Sequence, residues 1–153
     1  MNSSNIILVL CFLIGLACNS NKSKPNKIIE ADLVLDAINQ SILDHPGTDS
    51  LYYTRAQHYL AQLNYDLAVK DMLYLVDRSP DIPVYHHSLA DAYLDKGDSY
   101  QALKTMEDAA IQLKERIPTL LKLCEFQNIL KQFDASIKTC LRILEKDPIN
   151  ADA

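Results

Sequence analysis

Tryptophan is absent from the 153-residue chain, and glycine and phenylalanine occur three times each. So few glycines leave little material for phosphate-cradling turns. No GxGxxG, Walker, GxSxG or HExxH pattern occurs, so neither catalysis nor a bound cofactor is expected. Positive charge is also scarce, with 15 Lys or Arg against 20 Asp or Glu and a formal charge of -5. A nucleic-acid partner needs a clustered basic surface, and no basic stripe appears, which excludes that class. The four cysteines include no CxxC pair, the close spacing that zinc sites use, so no metal site is expected. Long hydrophobic runs are missing as well. The one marked run, Ile6 to Ala17, has 12 residues, too few to cross roughly 30 Å of hydrocarbon.

What is present begins with that run. Residues 1–17 carry no charge, the run closes on Gly15, Leu16 and Ala17 before Cys18, and the chain then turns polar at Asn19, Ser20, Asn21 and Lys22. This resembles a bacterial lipoprotein signal, in which small residues precede a cysteine that is lipidated after cleavage. The pattern departs from the usual one at Gly15, where Leu is common, and in the lack of Lys or Arg in Met1 to Asn5. An ordinary cleaved signal and a short uncleaved anchor stay open beside it. The resemblance implies a signal peptide over 1–17, an acylated Cys18 (the palmitate-bearing position) and attachment to a membrane through that lipid. Asn19, in place of Asp, resembles the signal for outer-membrane sorting and so implies a periplasm-facing lipoprotein. Residues 18–27 then read as anchor and tether, polar and interrupted by Pro25.

Beyond the tether the chain overlays on itself at a shift of 34 residues, from Asp49 to Asn150. Ala56 aligns with Ala90 and Cys124, Tyr59 with Tyr93 and Gln127, Ala68 with Ala102 and Ser136, and Met72 with Met106 and Cys140. Within each unit, apolar and small residues recur every three or four positions in two blocks split by a polar break. Each unit is therefore expected to be a helical hairpin. The expected helices are Ser50 to Gln62 with Tyr65 to Asp77, Val84 to Lys96 with Ser99 to Leu113, and Pro118 to Leu130 with Phe133 to Lys146. Upstream, Leu35, Ile38, Ile42 and Pro46 lie 34 residues before Val69, Met72, Val76 and Pro80, which predicts half a unit over 28–48 as an N-terminal capping helix.

These residues resemble the tetratricopeptide repeat: a small residue in the first helix (Ala56, Ala90), an aromatic three later (Tyr59, Tyr93), a small residue early in the second helix (Ala68, Ala102) and a terminal Pro (Pro80, Pro148). The departures are Tyr52, His86 and Leu120 at the Trp position, Arg55 at a Leu position, and Lys114 for the second unit's terminal Pro. The resemblance implies an all-α, right-handed solenoid of tandem hairpins, with units at 49–82, 83–116 and 117–150. It also implies a partner groove lined by one face of the first helices: Tyr53, Gln57 and Leu60, then His87, Asp91 and Leu94, then Leu121, Glu125 and Asn128. The set is mixed apolar and acidic and lacks the Lys, Asn and Arg clamp of relatives that grip a terminal carboxylate. Leu60, Leu94 and Leu121 have a second reading as packing between hairpins.

His87 and Asp91 share a helix face, yet two ligands without a third make a poor metal site. Cys124 and Cys140 lie on opposite helices of the third hairpin. Reverse pairing of antiparallel helices places Cys124 opposite Ser136 and about a turn from Cys140, so buried small residues are expected rather than a disulfide. The C-terminal helix, with Leu141, Ile143 and Leu144, has no following polar helix. That end is either solvated or meets another chain or a second copy, and contact is the favoured reading.

Taken together, the expectation is a non-catalytic, lipid-anchored adaptor holding a protein or peptide of the envelope. The alternatives are a glycan-acquisition accessory lipoprotein, disfavoured by the missing Trp platforms, and an oligomerising structural subunit.

Overall fold

The computed structural model describes the backbone over residues 27–149 and side chains over 33–149. The expected signal peptide, Cys18 and nearly all of the tether lie outside these residues. Two compact units divide the chain at Leu33 and Val34; the described residues of the first are the opening turns of a helix, and the described hairpins all lie in the second. Seven helices occur among the described residues: α1 Lys27–Asp44, α2 Asp49–Ala61, α3 Tyr65–Arg78, α4 Pro83–Asp95, α5 Ser99–Gln112, α6 Ile117–Ile129 and α7 Phe133–Lys146. They contain no strand, and none is long and apolar enough to cross a membrane. Helix α1 opens at Lys27, the last residue of the expected tether, and the other six match the expected hairpins to within a residue or so at each end.

Alanine sets the spacing of the hairpins. Ala56, Ala68, Ala90 and Ala102 are fully buried, because a methyl group is all that fits where first and second helices cross at close range. The core fills the seams between units. One cluster joins Ala56, Val69, Met72 and Leu75 to Leu89 and Ala92, and the other joins Ala90, Ala102 and Met106 to Leu120, Leu123, Phe126 and Ile143. Helix α4 feeds both clusters, so it has little solvent-facing polar surface on its inner sides. Each large side chain sealed in a seam, such as Phe126 or Leu120 at 0 % exposure, contributes about 1.5–3 kcal/mol. Stability therefore resides in nearest-neighbour contacts between hairpins.

Each hairpin turn repeats one backbone solution. Leu63, Gly97 and Lys131 occupy the same repeat position and all have positive φ, at 61°, 88° and 59°. The amide after each reaches back five residues: Asn64 to the Tyr59 carbonyl at 2.9 Å, Asp98 to Tyr93 at 2.8 Å and Gln132 to Gln127 at 2.7 Å. This is the Schellman closure of a helix, which ties off carbonyls that would otherwise lack partners. Only the second unit supplies glycine for it.

Candidate partner-binding face

The first helices α2, α4 and α6 carry the nine expected groove residues, and side-chain contacts stitch these helices side by side. Between α2 and α4, the Tyr53 hydroxyl lies 3.3 Å from Ser88 Oγ, and its ring meets that of Tyr85 at 5.7 Å with a 43° tilt. Between α4 and α6, His87 Nε2 lies 3.3 Å from Thr119 Oγ1, and Asp91 pairs with Lys122 Nζ at 3.0 Å. Lys122 also reaches Glu125 at 3.3 Å and sits 5.3 Å from the centre of the Phe126 ring.

These contacts sort the nine positions. Tyr53 and His87 are half-buried and occupied in joining hairpins. Leu60 and Leu94 are half-buried and pack against the two cores, which favours packing as their main role. Gln57, Leu121, Glu125 and Asn128 are exposed, with Leu121 at 52 %. Asp91 is half-exposed at the seam between α4 and α6. The exposed or half-exposed members of the face are thus Gln57, Asp91, Leu121, Glu125 and Asn128, two amides, two carboxylates paired with Lys122 and one apolar knob.

Its charge is more balanced than the two carboxylates alone imply, because Lys122 stands between them. Burial opposes the Lys122 charge, but pairing with Asp91 and Glu125 outweighs that cost and holds the ammonium above the ordinary lysine range. The same ammonium, after burial as the larger cause, pushes the His87 imidazole down from its usual value. His87 and Asp91 therefore act in separate pairs, His87 with Thr119 and Asp91 with Lys122.

Lys122, Ser88, Tyr85 and Thr119 went unrecognised in the sequence pattern. Their signal was available in the spacing. Tyr53–Ser88, Tyr53–Tyr85, His87–Thr119 and Asp91–Lys122 are separated by 35, 32, 32 and 31 residues, one repeat plus or minus up to a helix turn. Aligning equal positions at 34 cannot reveal contacts that step sideways from one helix to the next.

Two other expectations concern the third hairpin. Cys124 Sγ does sit against Ser136, 3.0 Å from its Oγ, but Cys140 Sγ is also only 2.8 Å away, which corrects the expected one-turn separation. Ser136 and Cys140 are four apart on one face of α7, so a single residue on α6 reaches both. Of the expected bare residues at the C-terminal end, Leu141 is 54 % exposed while Ile143, at 4 %, belongs to the core. The apolar stripe that α7 does present is Phe133, Ile137 and Leu141.

A surface depression of about 270 Å³ lies elsewhere, bordered by Val76 of α3, His86 and Tyr93 of α4, and Gln101, Thr105 and Asp108 of α5. None of the nine groove residues borders it. It opens to solvent on the side of α3, α4 and α5.

No protein-family model matches the sequence, and no curated protein matches it. Solved structures do. A thermophilic tetratricopeptide protein of Thermus thermophilus, TTC0263, superposes with a TM-score of 0.58 at 20% identity over 79% of this chain and 68% of that one. MamA of Desulfovibrio magneticus RS-1, from residue 41 to its end, gives 0.62 at 14% identity over 77% and 67%, and MamA of strain AMB-1 gives 0.57 at 16% over 76% and 68%. The fold is an α-solenoid of tetratricopeptide-like hairpins. At these identities the likeness speaks for the fold alone, so the face between α2, α4 and α6 has to be read from its own chemistry.

Proposed function

We propose that the chain is a non-catalytic adaptor that holds a segment of another protein across the first helices. In this proposal the chain is lipid-anchored through Cys18 in the outer membrane, faces the periplasm and supports assembly of an envelope complex. The observation that carries it is the row of exposed Gln57, Leu121, Glu125 and Asn128 on helices locked together by Tyr53–Ser88, His87–Thr119 and Asp91–Lys122. Such a face is rigid, so binding costs little ordering of the receptor. Its amide and carboxylate groups suit the backbone and basic side chains of an extended peptide, and Leu121 supplies an apolar anchor. The stripe Phe133, Ile137 and Leu141 on α7 is assigned to contact with another chain or a second copy. A glycan-binding role finds less support, since no tryptophan is available to stack on sugar rings.

The test is site-specific photocrosslinking in intact envelopes. A photoreactive residue at Gln57, Leu121 or Asn128 is expected to capture one and the same protein, while one at the solvent-exposed Lys104 of α5 captures none. Equal capture from all four positions, or none from the first three, rejects the face as the binding site.

A further inference from the structure

The third hairpin places two thiols where the first two units place an alanine and a methionine. Ala56 and Met72 are both sealed in one core cluster, and Ala90 and Met106 in the other, at 0 % exposure each. The same repeat positions in the third unit are Cys124 and Cys140. The close approach of first and second helices that packs Ala against Met brings the two sulfurs to 2.8 Å. That gap exceeds the ~2.05 Å length of a disulfide bond by only about 0.8 Å. Cys124 is buried and Cys140 exposed, and both are free thiols. Ser136 Oγ, 3.0 Å from Cys124 Sγ, borders the pair on the α7 side.

We infer that Cys124 and Cys140 form a reversible intramolecular disulfide site that staples α6 to α7 when a disulfide-class oxidant is present. The exposed Cys140 acts first: as thiolate, its proton lost to solvent, it attacks one sulfur of the oxidant's disulfide and expels one thiolate. Cys124 then loses its proton and attacks the Cys140 sulfur of the mixed disulfide, expelling the second thiolate. The two cysteines surrender two electrons, and the oxidant leaves as two thiols. The hydrogen bond to Cys124, followed by burial, holds the Cys140 thiol above its usual range, so closure is slow at neutral pH and quickens as the solution becomes alkaline.

The staple closes a short loop between residues 16 apart and removes freedom mainly from the unfolded chain, which predicts a Tm higher by roughly 5–10 °C in the oxidised form. Because hairpins are held by their neighbours, the gain concentrates in local opening of α6 and α7. The site is independent of what the first-helix face binds.

The full chain, equilibrated at mildly alkaline pH with reduced or oxidised glutathione, alkylated and digested with trypsin, gives the readout. Oxidation is expected to join the peptide Leu123–Lys131 to Thr139–Arg142 with the loss of two hydrogen atoms, in monomeric protein and with a raised Tm. Cys140→Ser is expected to abolish the joined peptide, and Cys124→Ser to leave Cys140 carrying glutathione. Alkylation of both thiols after oxidation overturns the inference. So does linkage of Cys140 to a second chain or to the peptide holding Cys11 and Cys18, and so does a Tm lowered by closure.

Discussion

Several side chains that break the repeat pattern prove to be matched pairs. Arg55, which stands at a Leu position, forms a two-pronged ion pair with the buried Asp71, Nε to Oδ2 and Nη2 to Oδ1 at 2.7 Å each, and reaches Asn39 of α1 at 2.9 Å. The planar guanidinium fits a carboxylate in this way as no lysine can. Removing one member leaves the other charged and poorly solvated. Asp71→Ala is therefore expected to destabilise the protein by about 2–4 kcal/mol, read from urea unfolding, whereas Arg55→Leu paired with Asp71→Leu should recover most of the loss. At the Trp position, Tyr52 donates its hydroxyl to the Pro46 carbonyl at 3.1 Å, and His86 donates from Nε2 to the Pro80 carbonyl at 2.7 Å. In the third unit both halves change together, to Leu120 and Lys114. Gln127, at a position otherwise Tyr, is buried because Thr139 Oγ1 donates to its Oε1 at 2.8 Å.

Backbone strain belongs to the same scale. Leu63 and Lys131 hold the left-handed conformation that Gly97 adopts freely, and a β-carbon there costs about 1–2 kcal/mol. Both side chains are exposed, so little packing is lost on their removal. Leu63→Gly and Lys131→Gly are each expected to stabilise the protein by about 0.5–1 kcal/mol once the added freedom of the unfolded chain is allowed for. Gly97→Ala, which meets no atom within 4 Å, should cost a similar amount through φ alone. Chemical denaturation of the three variants checks the set, and equal stabilities would mean that the turns are not strained.

Among the elements, the seam between α4 and α6 has a strength that depends on pH. Burial, and after it Lys122, push the His87 imidazole below its ordinary value there. With its folded pKa below the unfolded one, the native state resists the proton that the unfolded chain accepts. The sign follows: His87 contributes stability above the unfolded value of about 6.5, and that contribution is lost as pH falls through and below it. Urea unfolding at pH 7.5 and 5.5 should show a smaller drop in His87→Gln than in the wild type. An equal drop would remove His87 as the cause. On α7, the turn before the third hairpin is held from a distance: Glu115, in left-handed backbone, pairs with Arg142 and with Lys146 at 3.5 Å. The loop that lost its terminal proline is thus pinned by two cations of the C-terminal helix.

For the whole molecule, the 34-residue period made the hairpins legible, because alanines and apolar residues recur wherever helices must touch. The order of the six hairpin helices, and their ends to within a residue or so, followed from that period and from the polar breaks between its blocks. The lateral contacts did not, since Lys122, Ser88 and Thr119 matter through neighbours one repeat and up to a helix turn away, outside equal-position alignment. The two cysteines were misjudged for a related reason: opposing positions were paired one to one, while a residue on α6 faces two residues four apart on α7. The nine expected groove positions fall on the three first helices, as the repeat places them, but whether each side chain is exposed or engaged required three dimensions. Tyr53, His87, Leu60 and Leu94 are engaged between hairpins, and Gln57, Asp91, Leu121, Glu125 and Asn128 are the exposed or half-exposed members on which the proposed recognition rests.

What matters most is whether this face, rather than the rest of the solenoid, holds a protein segment. Isothermal titration of the captured partner's segment against wild-type protein and against Leu121→Asp combined with Asn128→Ala decides it, because both side chains are exposed and their loss should leave Tm within a few degrees. A Kd weakened at least about ten-fold, which is 1.4 kcal/mol, is expected with the fold intact. An unchanged Kd in a folded variant would mean that the segment binds elsewhere.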